Sequence, residues 1–305
     1  MANSTLLQLF QNTLQGMGVT TSGLPATVIG NTNQDVVQLL AKVNMAGRAL
    51  VREHDWQALQ TQYNVVATTY AYTCTTTTGS TSITGMSSIA NLDATFSLTG
   101  VGIDQDSYVV TAAGATVTMN RAATASGSTT ITFSKTIFAT ASDYDRLIDR
   151  TQWDKSKHWE MLGPSTPQQQ EWLRSGYIST GPRIRFWMKG DFFQIWPPLG
   201  ATENLSFEYM SKFWIFATGA TVTTKRAYSV DTDTCIFPDA LMEALIQLKY
   251  FEVKGFDTTA LRIEYEAQRD IAKANDAGSP TLSMAPRIST VLIGLENLPD
   301  SGYGS

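Results

Sequence analysis

Leu6, Leu7, Phe10 and Leu14 recur at helical spacing and predict a first helix, capped by Asn3 or Ser4. Gly16, Gly18, Gly23 and Pro25 break the pattern into a loop. Asn31, Thr32 or Asn33 then caps a longer helix on which Val36, Leu40, Val43, Gly47 and Leu50 share a stripe, widened by Val37, Leu39 and Val51. A helical glycine costs about 1 kcal/mol relative to alanine, so Gly47 predicts close packing against another helix. Trp56 and Leu59 anchor the exit, and Tyr63–Val66 begins a strand.

Composition shifts near Tyr72. Over 73–135 the short apolar alternations Thr81–Ile83, Phe96–Leu98, Tyr108–Val110, Thr116–Met119 and Thr129–Phe133 are separated by Gly and Asn turns. That spacing predicts a small antiparallel β module inserted into the rest of the chain. The next stretch, Asp143–Phe216, holds Trp153, Trp159, Trp172, Trp187, Trp196 and Trp214. Thr166 and Pro167 start a short helix. Ile184, Phe186 and Met188 alternate with Arg185 and Trp187, Lys189-Gly190-Asp191 turns, and Phe193–Trp196 returns until Pro197-Pro198 stops it. Leu205–Tyr209 is expected as a third strand beside this hairpin.

After a polar loop, Pro238 and Asp239 open a third long helix with Leu241, Leu245, Leu248 and Phe251 inward, ended by Gly255. Asp257 or Thr258 starts a fourth, with Leu261, Tyr265 and Ile271 inward, and Gly278-Ser279-Pro280 stops it. The fold class this predicts is α+β. A helical bundle from the N- and C-terminal helices surrounds a central hairpin and sheet region, with the β module inserted. The divisions are 1–72 with 136–278 as core, 73–135 as module and 279–305 as a C-terminal arm. The arm has no helical period yet carries Ile288, Val291, Leu292, Ile293 and Leu295, a cluster that needs a partner surface.

A formal net charge of −5 argues against a chain built to grip phosphates, and a charged fraction of only 16% fits a protein that buries surface in an assembly. Cys74 and Cys235 match no metal or redox spacing and are expected to be free thiols in a reducing cytoplasm. Neither a secretion leader nor an apolar run of membrane-spanning length is read, so no membrane anchor is expected.

Candidate chemistry is sparse. His54 and His158 lack a second ligand at metal spacing, and no phosphate-binding, dinucleotide-binding or nucleophile-elbow motif is present. Asp143, Asp145 and Asp149 are read as acidic groups at a helix start, serving its dipole. Asp154 and Glu160 could be cast as a glycosidase dyad only if the fold set them across a cleft. The aromatics Trp187, Phe192, Phe193, Trp196 and Trp214 read either as a stacking platform for single-stranded nucleic acid or, more simply, as core. Trp153, Trp159, Trp187, Trp196 and Trp214 are expected in the core or at a subunit interface, because a hairpin with large apolar groups on both faces needs two covers. No catalytic, cofactor or metal residue is assigned, and a non-enzyme is expected.

Order and spacing carry a resemblance. The features are Asp143–Leu147 as D-x-D-R-L, Trp153–Pro164 as W-x(5)-W-x-x-x-G-P, and a short helix with Trp172. Arg183–Pro198 follows with G-D-x-x-x-I-W-P-P, then Phe207–Trp214 as F-E-Y-x-S-x-x-W. Together they resemble the head-to-tail adaptor proteins of short-tailed phages, the tail tubular protein A group. Gly100–Ile103, Val117–Thr124 and Thr129–Phe133 are similar to a β module recurring in phage structural proteins. The resemblance implies a structural virion protein of the tail neck, made in a host cytoplasm. It would form a homo-oligomeric ring, a dodecamer, between portal protein and tail nozzle protein, with tail fibres as a further partner. Double-stranded DNA would pass through the lumen without sequence recognition. The helices would form the ring body, the β module would project outward, and the arm would reach the portal. A virion-associated cell-wall hydrolase and a fibre or capsid-decoration binding protein are the alternatives.

Overall fold

The computed structural model describes residues 3–175 and 183–276. Five helices form near the positions that periodicity predicts: α1 (Leu6–Gly16), α2 (Gln34–Glu53), α3 (Pro167–Arg174), α4 (Asp239–Lys254) and α5 (Thr259–Asp276). The cap of α1 is Thr5, whose hydroxyl accepts from Gln8 N while the Gln8 side chain accepts from Thr5 N. Asn3 and Ser4 instead bond across the chain. Asn3 Nδ2 donates to the carbonyls of Cys235 and Phe237 at 2.6 and 3.1 Å, and Ser4 N donates to the Asp239 carboxylate at 3.0 Å. Asn33 caps α2, and Thr166 caps α3 with Pro167 in its first turn.

The strands are β1 (Gln60–Val66), β2 (Thr69–Thr76), β3 (Ser82–Ile83), β4 (Phe96–Gly100), β5 (Ser107–Ala113) and β6 (Thr116–Met119). They continue as β7 (Gly127–Lys135), β8 (Ile137–Ala139), β9 (Tyr144–Leu147), β10 (Trp153–Asp154) and β11 (Trp159–Glu160). The last are β12 (Arg185–Lys189), β13 (Phe192–Trp196), β14 (Asn204–Ser211), β15 (Ile215–Phe216) and β16 (Thr234–Cys235). These strands overturn the expected helical bundle with a small β insert. Among the described residues the chain is β-rich, with four sheets, the largest of them six-stranded, antiparallel and nearly closed. Short strands alternating with loops give weak periodicity, so the helices dominated the pattern although they do not dominate the structure.

That six-stranded sheet runs β2-β7-β4-β5-β6-β3 and curls until Thr75 and Thr84 bridge its two ends, with N–H···O distances of 2.8 and 3.1 Å. Near-closure leaves little free edge, so a Thr- and Ser-rich exterior is tolerated without inviting edge pairing. Inside it Ile83, Leu98, Val109, Val117, Ile131 and Phe133 are buried as a core of their own. β2 and β7 pair from Thr69↔Ser134 to Thr76↔Gly127, so the chain enters and leaves this barrel side by side, four residues earlier than the composition shift indicated. Replacing 69–134 by a short Gly-Ser linker is therefore expected to leave the remainder folding cooperatively, with helical circular dichroism kept through a single thermal transition. Loss of that transition would show the barrel to be required for the rest.

The hairpin β12–β13 forms with Gly190 at φ 60° in its turn. Its third strand is not Leu205–Tyr209 but β8, which pairs with β13. The expected third strand lies within β14, which belongs to a separate sheet in the order β1-β14-β10-β11, with β9 also on β14. The two sheets pack face to face: Phe193, stacked on Phe186 of its own hairpin, meets Phe207 of β14 at 4.7 Å between ring centroids. Adjacent apolar strands pack across a core as readily as they pair along an edge, and pattern alone does not separate the two. The hairpin's other face, bearing Trp187 and Trp196, is covered by Leu173 of α3. Both covers thus come from the same chain.

The helical region is built around α4, which α1, α2 and α5 all contact. Leu241, Met242, Ala244, Leu245, Ile246 and Leu248 are buried around more than one side of it. Gly47 of α2 faces not a helix but Trp214, which is fully buried and donates from Nε1 to Arg226 O at 2.9 Å. On α5, Leu261, Tyr265 and Ala272 face inward, whereas Ile271, expected inside, is 53% exposed. The stripe is rotated so that Ala272, not Ile271, joins the core.

Candidate functional site

A broad concavity that gathers residues singled out by sequence lies on the outer face of the β14 sheet. Alternation sends Leu205, Phe207 and Tyr209 into the core and leaves Ser206 and Glu208 on the outside. Gln62 pairs with Glu208, and both Asn64 and Trp153 pair with Ser206, so all share that outer face. Arg150, Thr151, Lys155 and His158 complete a cleft of about 600 Å³. Trp153 is half-buried, with Nε1 donating to Arg150 O at 3.3 Å. Arg150 and His158 both adopt left-handed backbone, φ 61° and 57°. Asp154 Oδ1 accepts from Ser156 N at 2.9 Å and Lys157 N at 3.1 Å, which closes the β10–β11 turn.

Register disposes of the carboxylate dyad. Trp153 pairs with Glu160 and Asp154 with Trp159, so Asp154 and Glu160 project from opposite faces of the β10–β11 ladder. The Asp143–Asp149 segment begins β9, not a helix, and so has no helix dipole to serve. Asp143 accepts from Tyr209 OH at 2.8 Å. Asp145 pairs with Arg52 at 2.7 Å and Arg146 at 3.2 Å, while Arg146 also reaches Asp55. These carboxylates tie β9 to α2 and β14. Burial raises the Tyr209 phenol above its ordinary range, and the hydrogen bond to Asp143 adds to that.

Among the described residues no group of three or more His, Cys, Asp or Glu side chains is placed to hold a metal. Cys74 lies in the barrel core and Cys235 in the helical core, both unpaired. Burial pushes the Cys235 thiol up to about 11. No helix among the described residues is long and apolar enough to cross a membrane.

The tryptophans divide. Trp187, Trp196 and Trp214 are buried in the chain's own core, so they offer no platform to bases, nor does the buried Phe193. Trp187 Nε1 donates to Gln194 Oε1 at 2.8 Å. Trp159 is exposed, as are Trp172 and Phe192. The proposed docking residues Ile288, Val291, Leu292, Ile293 and Leu295 lie outside the described residues. Sequence reading placed Val37 of α2 and Ile271 of α5 on the inward stripes, but both lie on the outer faces, 48% and 53% exposed, where apolar residues recur three and four apart. No protein-family model matches the chain, and a search of curated proteins found no match.

Proposed function

We propose that this chain is a structural subunit of a virion neck: a head-to-tail adaptor that assembles as a ring between portal and tail nozzle. The observation that carries the reading is the ordered series of motifs from Asp143 to Trp214, and the roles of its residues favour it. Asp145 joins β9 to α2. Gly163 sits where a Cβ would lie 2.5 Å from Phe186 O. Trp214 fills the helical core. Motif residues spent on joining elements suit a protein that transmits load better than one that turns over a substrate.

In this reading the arm 279–305, through Ile288, Val291, Leu292, Ile293 and Leu295, attaches to the portal by adding chain to an exposed edge or groove. The test is electron microscopy of the purified protein with assembled portal. Rings of fixed rotational symmetry seated on the portal are expected, and truncation after Gly278 should abolish seating. A monodisperse monomer that ignores the portal would overturn the reading. Peptidoglycan hydrolysis lost on Glu208→Gln would replace it by the hydrolase alternative.

A further inference from the structure

Two helices bury one face and present apolar residues on the opposite one. Successive residues on a helix turn by about 100°. On α5 this places Ala260, Ile263, Ala267, Ile271 and Ala274 within an arc of about 80°, opposite the half-buried Leu261 and Tyr265 and the buried Ala272. All five are exposed, Ile263 by 65%. On α2 the outer face carries Val37, Ala41 and Met45, the last 58% exposed, opposite buried Leu39, Val43 and Leu50. One apolar stripe anchors a surface helix; a second on the far side has no partner within the described chain and marks a contact surface.

The two stripes have edges of opposite charge. Glu264 and Glu266 flank the α5 stripe without a cation partner among the described residues, and Asp270 stands beside them, paired to its neighbour Arg269. The α5 cations Arg269 and Lys273 reach Glu53 at the end of α2, and Arg262 lies on the far shoulder. On α2, Arg48 continues the line of the stripe one turn beyond Met45 and Lys42 lies beside it, neither with a carboxylate partner among the described residues. Like faces brought together would oppose like charges, whereas α2 against α5 sets cations against carboxylates.

We infer that the outer face of α2 on one copy packs against the outer face of α5 on a second copy of this chain. Because the two faces differ, the contact repeats from copy to copy, closing as a ring or running on as a filament according to the rotation at each step. The choice of a second copy as occupant rests on the ring reading above; the contact surface rests on stripe and charge.

The test uses full-length protein carrying either Met45→Cys or Ile263→Cys, the native cysteines being buried. Under mild oxidation, disulfide-linked dimers are expected when the two are mixed and not from either alone. Met45→Asp or Ile263→Asp should weaken self-association at least tenfold in sedimentation. Glu264→Lys with Glu266→Lys should do the same, with recovery on mixing with Lys42→Glu/Arg48→Glu. Rings that persist in Ile263→Asp would overturn the contact and leave the ring reading standing. Filaments that cross-link as expected would uphold the contact and sink the ring. A parent protein that stays monomeric at every concentration overturns both. Slow thiol labelling of monomeric Ile263→Cys would show that residues 277–305 cover α5, and would also overturn the contact.

Discussion

Gly47→Ala is expected to destabilise the protein by about 2 kcal/mol, although alanine is the better helix former by about 1 kcal/mol. An added Cβ would lie 2.3 and 2.4 Å from two carbons of the Trp214 ring. Neither side can yield readily. Leu39, Val43, Leu50 and Val51 hold α2 down, and Trp214 is wedged between Tyr228 and Phe237 with its Nε1 fixed to Arg226 O. Trp214→Phe withdraws the ring atoms that clash, so the double variant should be more stable than the sum of the two single losses, by about 1 kcal/mol or more. Urea denaturation of the four proteins measures this cycle. A Gly47→Ala protein more stable than its parent would refute the contact.

Asp233→Ala should cost more, about 3 kcal/mol, because it leaves two N–H groups and the partly buried Lys225 without their shared acceptor. Asp233 is fully buried and accepts from Lys225 Nζ at 2.7 Å and from Ser229 N and Val230 N at 3.0 Å. Burial pushes its carboxyl up, but Lys225 and the backbone donors outweigh it and hold the group below the ordinary carboxylate range. The sign of the pH effect follows. A carboxylate with a lowered folded-state pKa contributes stability above its unfolded value, about 4, and loses it as pH falls through the lower folded value. Asp233→Asn should therefore be less stable at neutral pH and lose less on acidification. Equal acid slopes in parent and variant would show that Asp233 is not the group responsible.

The helices were legible because they obey one rule each: Asn33 caps, Gly255 terminates, Pro238 precedes, and apolar residues recur at 3–4 spacing. What escaped were the choices decided by distant partners. Thr5 displaced Asn3 and Ser4 as a cap only because those two found acceptors more than 200 residues away. Leu205–Tyr209 alternates as any half-buried strand would, and nothing local says whether it pairs with the hairpin or lies across it. The Thr-rich stretch was legible as strands but not as a nearly closed sheet, since closure depends on a single bridge between Thr75 and Thr84. As to the site, the dyad failed on register, a quantity that no spacing within one strand contains.

The long reach of Asn3 and Ser4 also separates the order in which the chain is made from the order in which it can lock. The acceptors of Asn3 are the carbonyls of Cys235 and Phe237, and Leu6 N donates to Asp233 O at 2.9 Å. None of these exists on a ribosome until more than three-quarters of the described chain has been synthesised. The barrel closes entirely within 69–135 and has all its partners much earlier. Within the described chain α1 must therefore wait for partners near Cys235, whereas the barrel can become native without them.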